Sequence, residues 1–362
     1  MSAHRHGVVM AGGSGTRLWP MSRVALPKQL LPMKDGHSLL KLAYERLEGI
    51  VPAERRYICA SRAHEQPIRA ELAQLPALGF LGEPMGRDTL NAVGLAATVV
   101  AKGDPDGVMA VLTADHLIEP VGIMRERMME AFALVEQDRR RLVTFGITPT
   151  YPATGFGYVE SGDPVPGAPH ARFARRFAEK PSLETAKSFL EAGNFSWNSG
   201  MFVFSARTVL EAIGSYQPEC AAGLARIGAA WGTPDAARTI DAVYPTLPRV
   251  SVDRALMEPA SADPAYSICV VPLPVQWLDI GSWPAFSSTL VPDASGNRTN
   301  ARAVHIGSRD VTCVSDDPSH VIATIGCEGL VIVRTRDATL VCPAALAERV
   351  KEIAGLVPPE VR

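Results

Sequence analysis

The sequence predicts an α/β protein: a mainly parallel mixed sheet with helices on both faces, followed by a small C-terminal β-domain. Three observations lead there. In the first half, short apolar runs alternate with amphipathic helical patterns, the rhythm of βαβ units. A glycine-rich stretch, GGSGTRL, follows the first apolar run at once. Beyond Asp293 the helical patterns give way to short β-rich runs (VTCV, HVIATIG, LVIVRT, TLVC) spaced about ten residues apart.

Taken in order, Gly7–Ala11 reads as a buried strand. Ser38 is placed to cap a helix with Leu39, Leu42, Ala43 and Leu47 on one face. Tyr57–Ala60 is a second strand, with a helix over Glu65–Gln74 behind it. Asn91–Lys102 is helical, Val108–Leu112 a fully apolar strand, Ile123–Gln137 a helix and Leu142–Ile147 a strand. Gly157–Ser161, Phe173–Glu179 and Ser199–Phe204 read as strands, with a helix over Ser182–Glu191. Residues 206–257 are largely helical, broken at Pro218, Pro234, Pro245 and Pro248. Tyr266–Pro272 and Gln276–Ile280 are extended. The loop-like DASGNRT marks a boundary, giving a domain over residues 1–292 and a small β-domain over 293–362 that closes with a helix at Ala344–Ala354.

Composition narrows the function classes. Among 362 residues, 47% are hydrophobic and 20% charged, which supplies a core and excludes a disordered chain. The net charge of -2 gives no global attraction to nucleic acid or anionic lipid, so a bound phosphate needs a local site. Six cysteines without a C-x-x-C pair are expected to be reduced and mostly buried. The N-terminal apolar run of four residues is too short for a signal-peptide core, and no stretch approaches the length of a membrane span. A cytoplasmic protein, with neither nucleic acid nor membrane as partner, is the expectation.

The sharpest motif is Gly12-Gly13-Ser14-Gly15-Thr16-Arg17-Leu18, with Pro20 and then Pro27-Lys28-Gln29 behind it. Glycines after a strand let backbone N–H groups approach an anion. Neither the P-loop pattern nor the dinucleotide glycine pattern fits these letters. Two cations distinguish the loop, Arg17 within it and Lys28 beyond two prolines. A forked guanidinium plus an ammonium suits a polyphosphate that becomes a leaving group. A glycine turn with two solvated surface cations is the plain alternative, and the spacing argues against it.

Together GGSGTRLWP, PKQ, TADH, FAEKP, FSWNSGMFVF and WLDIGSW resemble the sugar-1-phosphate nucleotidyltransferase family, in its mannose-1-phosphate guanylyltransferase branch. The motifs run in the family's order from position 12 to position 283. The resemblance implies a Rossmann-like fold of the nucleotide-diphospho-sugar transferase type and a C-terminal short left-handed β-helix. It further implies GMP transfer from GTP to mannose 1-phosphate, giving GDP-mannose and pyrophosphate, and a homodimer.

Asp115, in TADH, directly follows an apolar strand, where ligands gather in such sheets. Asp279 stands in WLDIG. The family resemblance assigns both to Mg²⁺, a hard ion that needs one or two carboxylates plus substrate phosphates. His116 is expected to pack or support rather than transfer protons. The resemblance assigns Glu179 to sugar hydroxyls and Lys180 to the sugar phosphate, and Asn198 and Gly157 fall at the same sugar end. Gly12, Gly13, Ser14, Gly15 and Thr16 cradle the nucleotide phosphates. Arg17, Lys28, Asp115, Lys180 and Asp279 form the expected catalytic set.

Guanine presents N–H donors on its pairing edge, so Glu83 is the candidate base acceptor, with Asp88 and Thr89 beside it. Here the chain reads Asp-Thr-Leu-Asn-Ala where the family usually has Asn-Thr-Ala-Pro-Ala, and Thr113 replaces a proline. Another base or sugar, or a sugar-nucleotide sensor without catalysis, are the rival readings. The complete set of leaving-group cations opposes the sensor. A fused isomerase would need a histidine cluster, and only His305 and His320 follow residue 293.

Overall fold

The computed structural model describes residues 4–13, 15–34 and 36–362, so Ser14 of the expected phosphate loop lies outside the described residues. The chain divides into two compact units. The first comprises Met1–Gly12, Leu42–Ala114 and Ile118–Trp277, and the second Gly13–Lys41, Asp115–Leu117 and Leu278–Arg362.

The first unit holds a nine-stranded sheet. Its strands are β1 (Arg5–Met10), β2 (Arg56–Ser61), β3 (Phe80–Glu83), β4 (Val108–Thr113), β5 (Arg141–Ile147), β6 (Gly157–Pro164), β7 (Arg172–Glu179), β8 (Phe195–Ser205) and β9 (Ser267–Pro272). They run in the order β3-β2-β1-β4-β8-β5-β9-β7-β6. The half β3-β2-β1-β4 is wholly parallel, as is the pair β5–β9. Strand β8 enters antiparallel between β4 and β5, and β7 and β6 close the far edge antiparallel. Strand β8 is longer than its apolar run suggests. Gly200, at φ 69°, absorbs a register shift against β5 and lets pairing continue on both sides of it.

Successive strand side chains alternate between the two faces. Met109 and Val111 of β4 join the core under the helix Asp88–Gly103, with Val93, Ala96, Ala97 and Val100. Ala110 and Leu112, equally inaccessible, point the other way, and the helix Val121–Gln137 also packs on β4. Helices therefore cover both faces, as the βαβ rhythm predicts. The long helical stretch resolves into Ala206–Tyr216, Pro218–Ala230 and Ala236–Val243. It stops ahead of the turn Tyr244–Thr246, where Pro245 removes a helix donor. A π-helical segment, Asp253–Met257, follows.

In the second unit, two parallel pairings join residues nineteen positions apart, Thr312 with Val331 and Arg302 with Val321, and a third joins Arg298 with Thr312, fourteen apart. Parallel neighbours at such short separations mark a coil of β-strands. Val311, Cys313 and Ile322 fill its interior. The strand Thr339–Pro343 returns antiparallel and ends the stack. The expected closing helix is split into a 3-10 turn, Ala344–Arg349, and an α-helix, Val350–Leu356. Pro343 precedes the 3-10 turn and offers it no side-chain cap. Cys59, Cys220, Cys269 and Cys313 are buried free thiols. Burial pushes Cys269 up to about 12, which removes its thiolate chemistry. No helix among the described residues is long and apolar enough to cross a membrane.

Candidate active site

From Gly13 onward the phosphate loop belongs to the same compact unit as the two aspartates, although Asp115 and Asp279 stand 164 positions apart. Gly15 sits at φ 61°, a conformation that disfavours any side chain. A Cβ there would stand 2.7 Å from Lys28 Cβ and 3.0 Å from its backbone nitrogen. The glycine thus lets the loop lie directly on Lys28. Thr16–Leu18 forms a 3-10 turn, closed by Trp19 N–H donating to the Thr16 carbonyl at 3.2 Å. A Cβ on Gly13 would lie 3.9 Å from Gln29 Nε2, so the two ends of the loop are neighbours.

Lys28 is mostly buried, and its Nζ lies 2.8 Å from Asp115 Oδ2. It also donates to the Ile280 carbonyl at 3.4 Å. Ile280 N–H donates in turn to the Asp115 carbonyl at 3.0 Å, stitching the two aspartate segments together. Gly281 borders both Asp279 Oδ1 and the Arg17 guanidinium: a Cβ there would be 3.4 and 3.6 Å from them. Arg17 is half-exposed and pairs with Glu348 Oε2 at 3.1 Å.

One ligand atom each from Asp115, His116 and Asp279 lie within 4.8 Å of one another. His116 is buried, with Nε2 3.7 Å from Asp115 Oδ1. Burial raises the Asp115 carboxyl, but Lys28 and His116 outweigh it and the group ends below its ordinary value. Asp279 is raised, first by burial and then by the Asp115 charge. Asp279 Oδ1 is buried without a hydrogen-bond partner among the described residues. A carboxylate oxygen orphaned beside a second carboxylate is the donor set a hard divalent cation satisfies. The residues therefore fit a metal ion.

In the first unit, Glu179 ends β7 as expected and Lys180 follows it directly. Lys180 has φ 48°, and its ammonium lies 3.0 Å from Glu179 Oε1. Glu258 holds the Glu179 N–H at 2.7 Å. Gly157 permits a close approach, since a Cβ there would stand 2.7 Å from Glu179 Oε2. Asn198 is buried and largely committed within the protein. Its Oδ1 accepts from Thr144 Oγ1 at 2.7 Å and Gly200 N–H at 3.2 Å, while Nδ2 donates to Asp253 Oδ1 at 2.7 Å. Asp253 is a residue the sequence reading missed. Burial, then the Glu179 charge, push its carboxyl up to about 7. One acid inside a helical stretch carries no signal. Only the prolines ahead of it hinted that the backbone there is irregular, and a π-helical segment is where functional residues often sit.

At the base end, Glu83 terminates β3 and is buried. Its Oε1 accepts from the Tyr244 hydroxyl at 2.7 Å. Its Oε2 lies 3.9 Å from where a Gly12 Cβ would be. Asp88, at φ 64°, starts the helix Asp88–Gly103 three residues earlier than the pattern suggests, and its Oδ1 accepts from Thr89 N–H at 2.8 Å. The unusual Asn91 is fully buried. Its Nδ2 donates to the Pro248 carbonyl at 2.7 Å and the Arg87 carbonyl at 3.1 Å. Thr89 Oγ1 accepts from Val252 N–H at 2.9 Å. The altered segment therefore ties down the chain over 245–252.

Comparison with known proteins shows the family. Residues 6–294 match the family described as Nucleotidyl transferase, and residues 301–355 the MannoseP isomerase/GMP-like beta-helix domain. The mannose-1-phosphate guanylyltransferase of Escherichia coli is 38% identical, over 95% of this chain and 72% of its own length. The xanthan biosynthesis protein XanB of Xanthomonas campestris is 35% identical, over 97% of this chain and 72% of its own. A crystal structure described as a mannose-1-phosphate geranyltransferase from Thermus thermophilus superposes with a TM-score of 0.84 at 31% identity, covering 98% of this chain and 99% of that one. Matched over most of its length by the family model and by these relatives, the chain belongs to the nucleotidyl transferase family and is an enzyme of its mannose-1-phosphate guanylyltransferase branch.

Proposed function

We propose that this protein transfers GMP from GTP to α-D-mannose 1-phosphate, giving GDP-mannose and pyrophosphate. The observation that carries the reading is the meeting of Asp115, His116 and Asp279 within 4.8 Å, beside Lys28, in a chain of this family. Asp115 and Asp279 would hold Mg²⁺, which when bound supplies charge neutralisation on phosphate oxygens. A phosphate oxygen of the sugar 1-phosphate attacks the α-phosphorus in line. The bond from the α-phosphorus to the bridging oxygen breaks, and that oxygen leaves with pyrophosphate.

The nucleophile is already an anion, so positioning and charge do the catalysis. Lys180 places the attacking phosphate, and Glu179 accepts from the sugar hydroxyls. Asn198 and Asp253 complete the sugar end, where Gly157 gives the ring room. Arg17 and Lys28 stabilise the departing pyrophosphate, while Gly12, Gly13, Ser14, Gly15 and Thr16 cradle the phosphates through backbone N–H groups. Glu83 accepts from guanine, with Asp88 and Thr89 shaping that end. The enzyme acts in the cytoplasm as a homodimer; light scattering tests the dimer.

The direct experiment measures pyrophosphate release from each of GTP, ATP, UTP, CTP and dTTP against mannose 1-phosphate and glucose 1-phosphate, with Mg²⁺ varied. GTP with mannose 1-phosphate is expected to be the best pair by at least tenfold in kcat/KM, a difference of about 1.4 kcal/mol. Preference for another triphosphate, or no release from any pair, would overturn the reading.

A further inference from the structure

A buried tyrosine at the base end has no role in the reaction so far described. Tyr244 opens the turn after the helix Ala236–Val243, is fully inaccessible, and donates to Glu83 Oε1 at 2.7 Å. The bond uses one lone pair of one oxygen. Glu83 Oε2 lies on the side of Gly12, 3.9 Å from where a Cβ on that glycine would stand, and takes no part in the bond from Tyr244.

A carboxylate that must accept two roughly parallel N–H bonds has to hold a fixed plane. A freely rotating Glu side chain, with three torsions, does not hold one. Burial and the neighbouring Glu83 charge hold the Tyr244 phenol well above its ordinary value, so it remains a donor. Burial raises Glu83, and the tyrosine hydroxyl opposes that rise.

The backbone around Tyr244 is fixed without its hydroxyl. The Pro245 carbonyl accepts from Arg87, the Pro248 carbonyl from Asn91, and the Val250 carbonyl from Leu90 N–H, while Val252 N–H reaches Thr89. Removing the hydroxyl therefore leaves the strap in place and frees only the carboxylate.

We infer that Tyr244 is a positioning residue for base choice: its hydroxyl locks the Glu83 carboxylate in the plane that accepts from the N1–H and 2-amino group of guanine. The inference rests on the guanylyltransferase reading with Glu83 as base acceptor, and deepens it.

Inosine triphosphate separates the roles, since its base is guanine without the 2-amino donor. The test measures KM and kcat for GTP and for ITP in the wild type, Glu83→Gln and Tyr244→Phe. In Tyr244→Phe, KM for GTP should rise about tenfold, as when one hydrogen bond to a charged group is lost. The GTP-over-ITP preference should shrink by a similar factor, while kcat and KM for mannose 1-phosphate stay within about twofold. Melting shifts induced by GDP and IDP give the same comparison at equilibrium, and can be read on a weakened fold. If Glu83→Gln narrows the preference and Tyr244→Phe leaves it at the wild-type value, the tyrosine is structural and the inference falls while the base reading stands. If neither variant narrows it, both fall. A chain that releases no pyrophosphate from GTP defeats the guanylyltransferase reading itself.

Discussion

Lys28 shows how much a single side chain does here. Its stem lies under Gly15 and its ammonium on Asp115, so it joins the loop to the acidic cluster. Lys28→Ala removes a preorganised cation from the leaving-group end and should slow a single turnover at saturating Mg²⁺ by about 10²–10³. A loss under about threefold would take Lys28 out of the mechanism. Asp253 gives a prediction of another kind. Its folded carboxyl titrates at about 7, well above the ordinary value of about 3.9. The folded state therefore holds the proton more tightly, so this group's stabilisation is full below pH ~4 and is lost as pH rises through about 7. Asp253→Asn keeps an oxygen for Asn198 Nδ2 and has no charge to lose. Its melting temperature relative to wild type should climb between pH 5 and pH 8, as followed by calorimetry. A difference that stays flat with pH would mean that Asp253 is not held neutral.

Between residues and the molecule stand the strand ends and turns. Gly157 on β6 faces Glu179 on β7 with only 2.7 Å for a would-be Cβ. The obstructing atom is the end of a flexible side chain, so Gly157→Ala should melt within a few degrees of wild type while pushing the carboxylate aside. KM for mannose 1-phosphate should rise about tenfold with KM for GTP unchanged, in steady-state kinetics. Equal changes in both constants would point to general damage instead. The strands carrying these residues were readable in the sequence because apolar runs and period-two alternation report burial directly. The loop was readable because its letters impose a backbone: a glycine at φ 61° and a cation packed on it. Partnership between distant side chains was not readable. Asn198 was readable as an amide for the sugar end, but its ties to Asp253 and Thr144 were not. Asn91, where the family usually has proline, secures the strap at Pro248. No periodicity encodes such pairs, which form only when the folded chain brings distant segments side by side.

At the scale of the whole molecule, sequence order misplaces the phosphate loop. Residues 13–41 cluster with the C-terminal β-domain rather than with the sheet whose first strand they follow. The Trp19 indole N–H donates to the Val361 carbonyl at 2.7 Å, and Trp283 Nε1 donates to the Trp19 carbonyl at 3.0 Å. Arg23 reaches Thr335 at 3.1 Å and Asp337 at 2.5 Å. The small domain therefore braces the loop, and it also supplies Glu348, the carboxylate on Arg17. That pair is exposed at both ends, 47% for Arg17 and 64% for Glu348, so its net worth lies in the range of about 0.2–1 kcal/mol and water screens it. A triphosphate that needs Arg17 must displace one carboxylate, which weakens its binding by no more than that amount. Glu348→Gln should thus lower the melting temperature by no more than about 4 °C and lower KM for GTP about two- to fivefold at low ionic strength. The gain should fade by about 0.5 M salt, where the Debye length falls to a few ångströms. Initial rates across a salt series decide the matter: an unchanged KM at low salt would mean that Arg17 meets the nucleotide without leaving Glu348, and the carboxylate would then be a support for the guanidinium rather than its competitor.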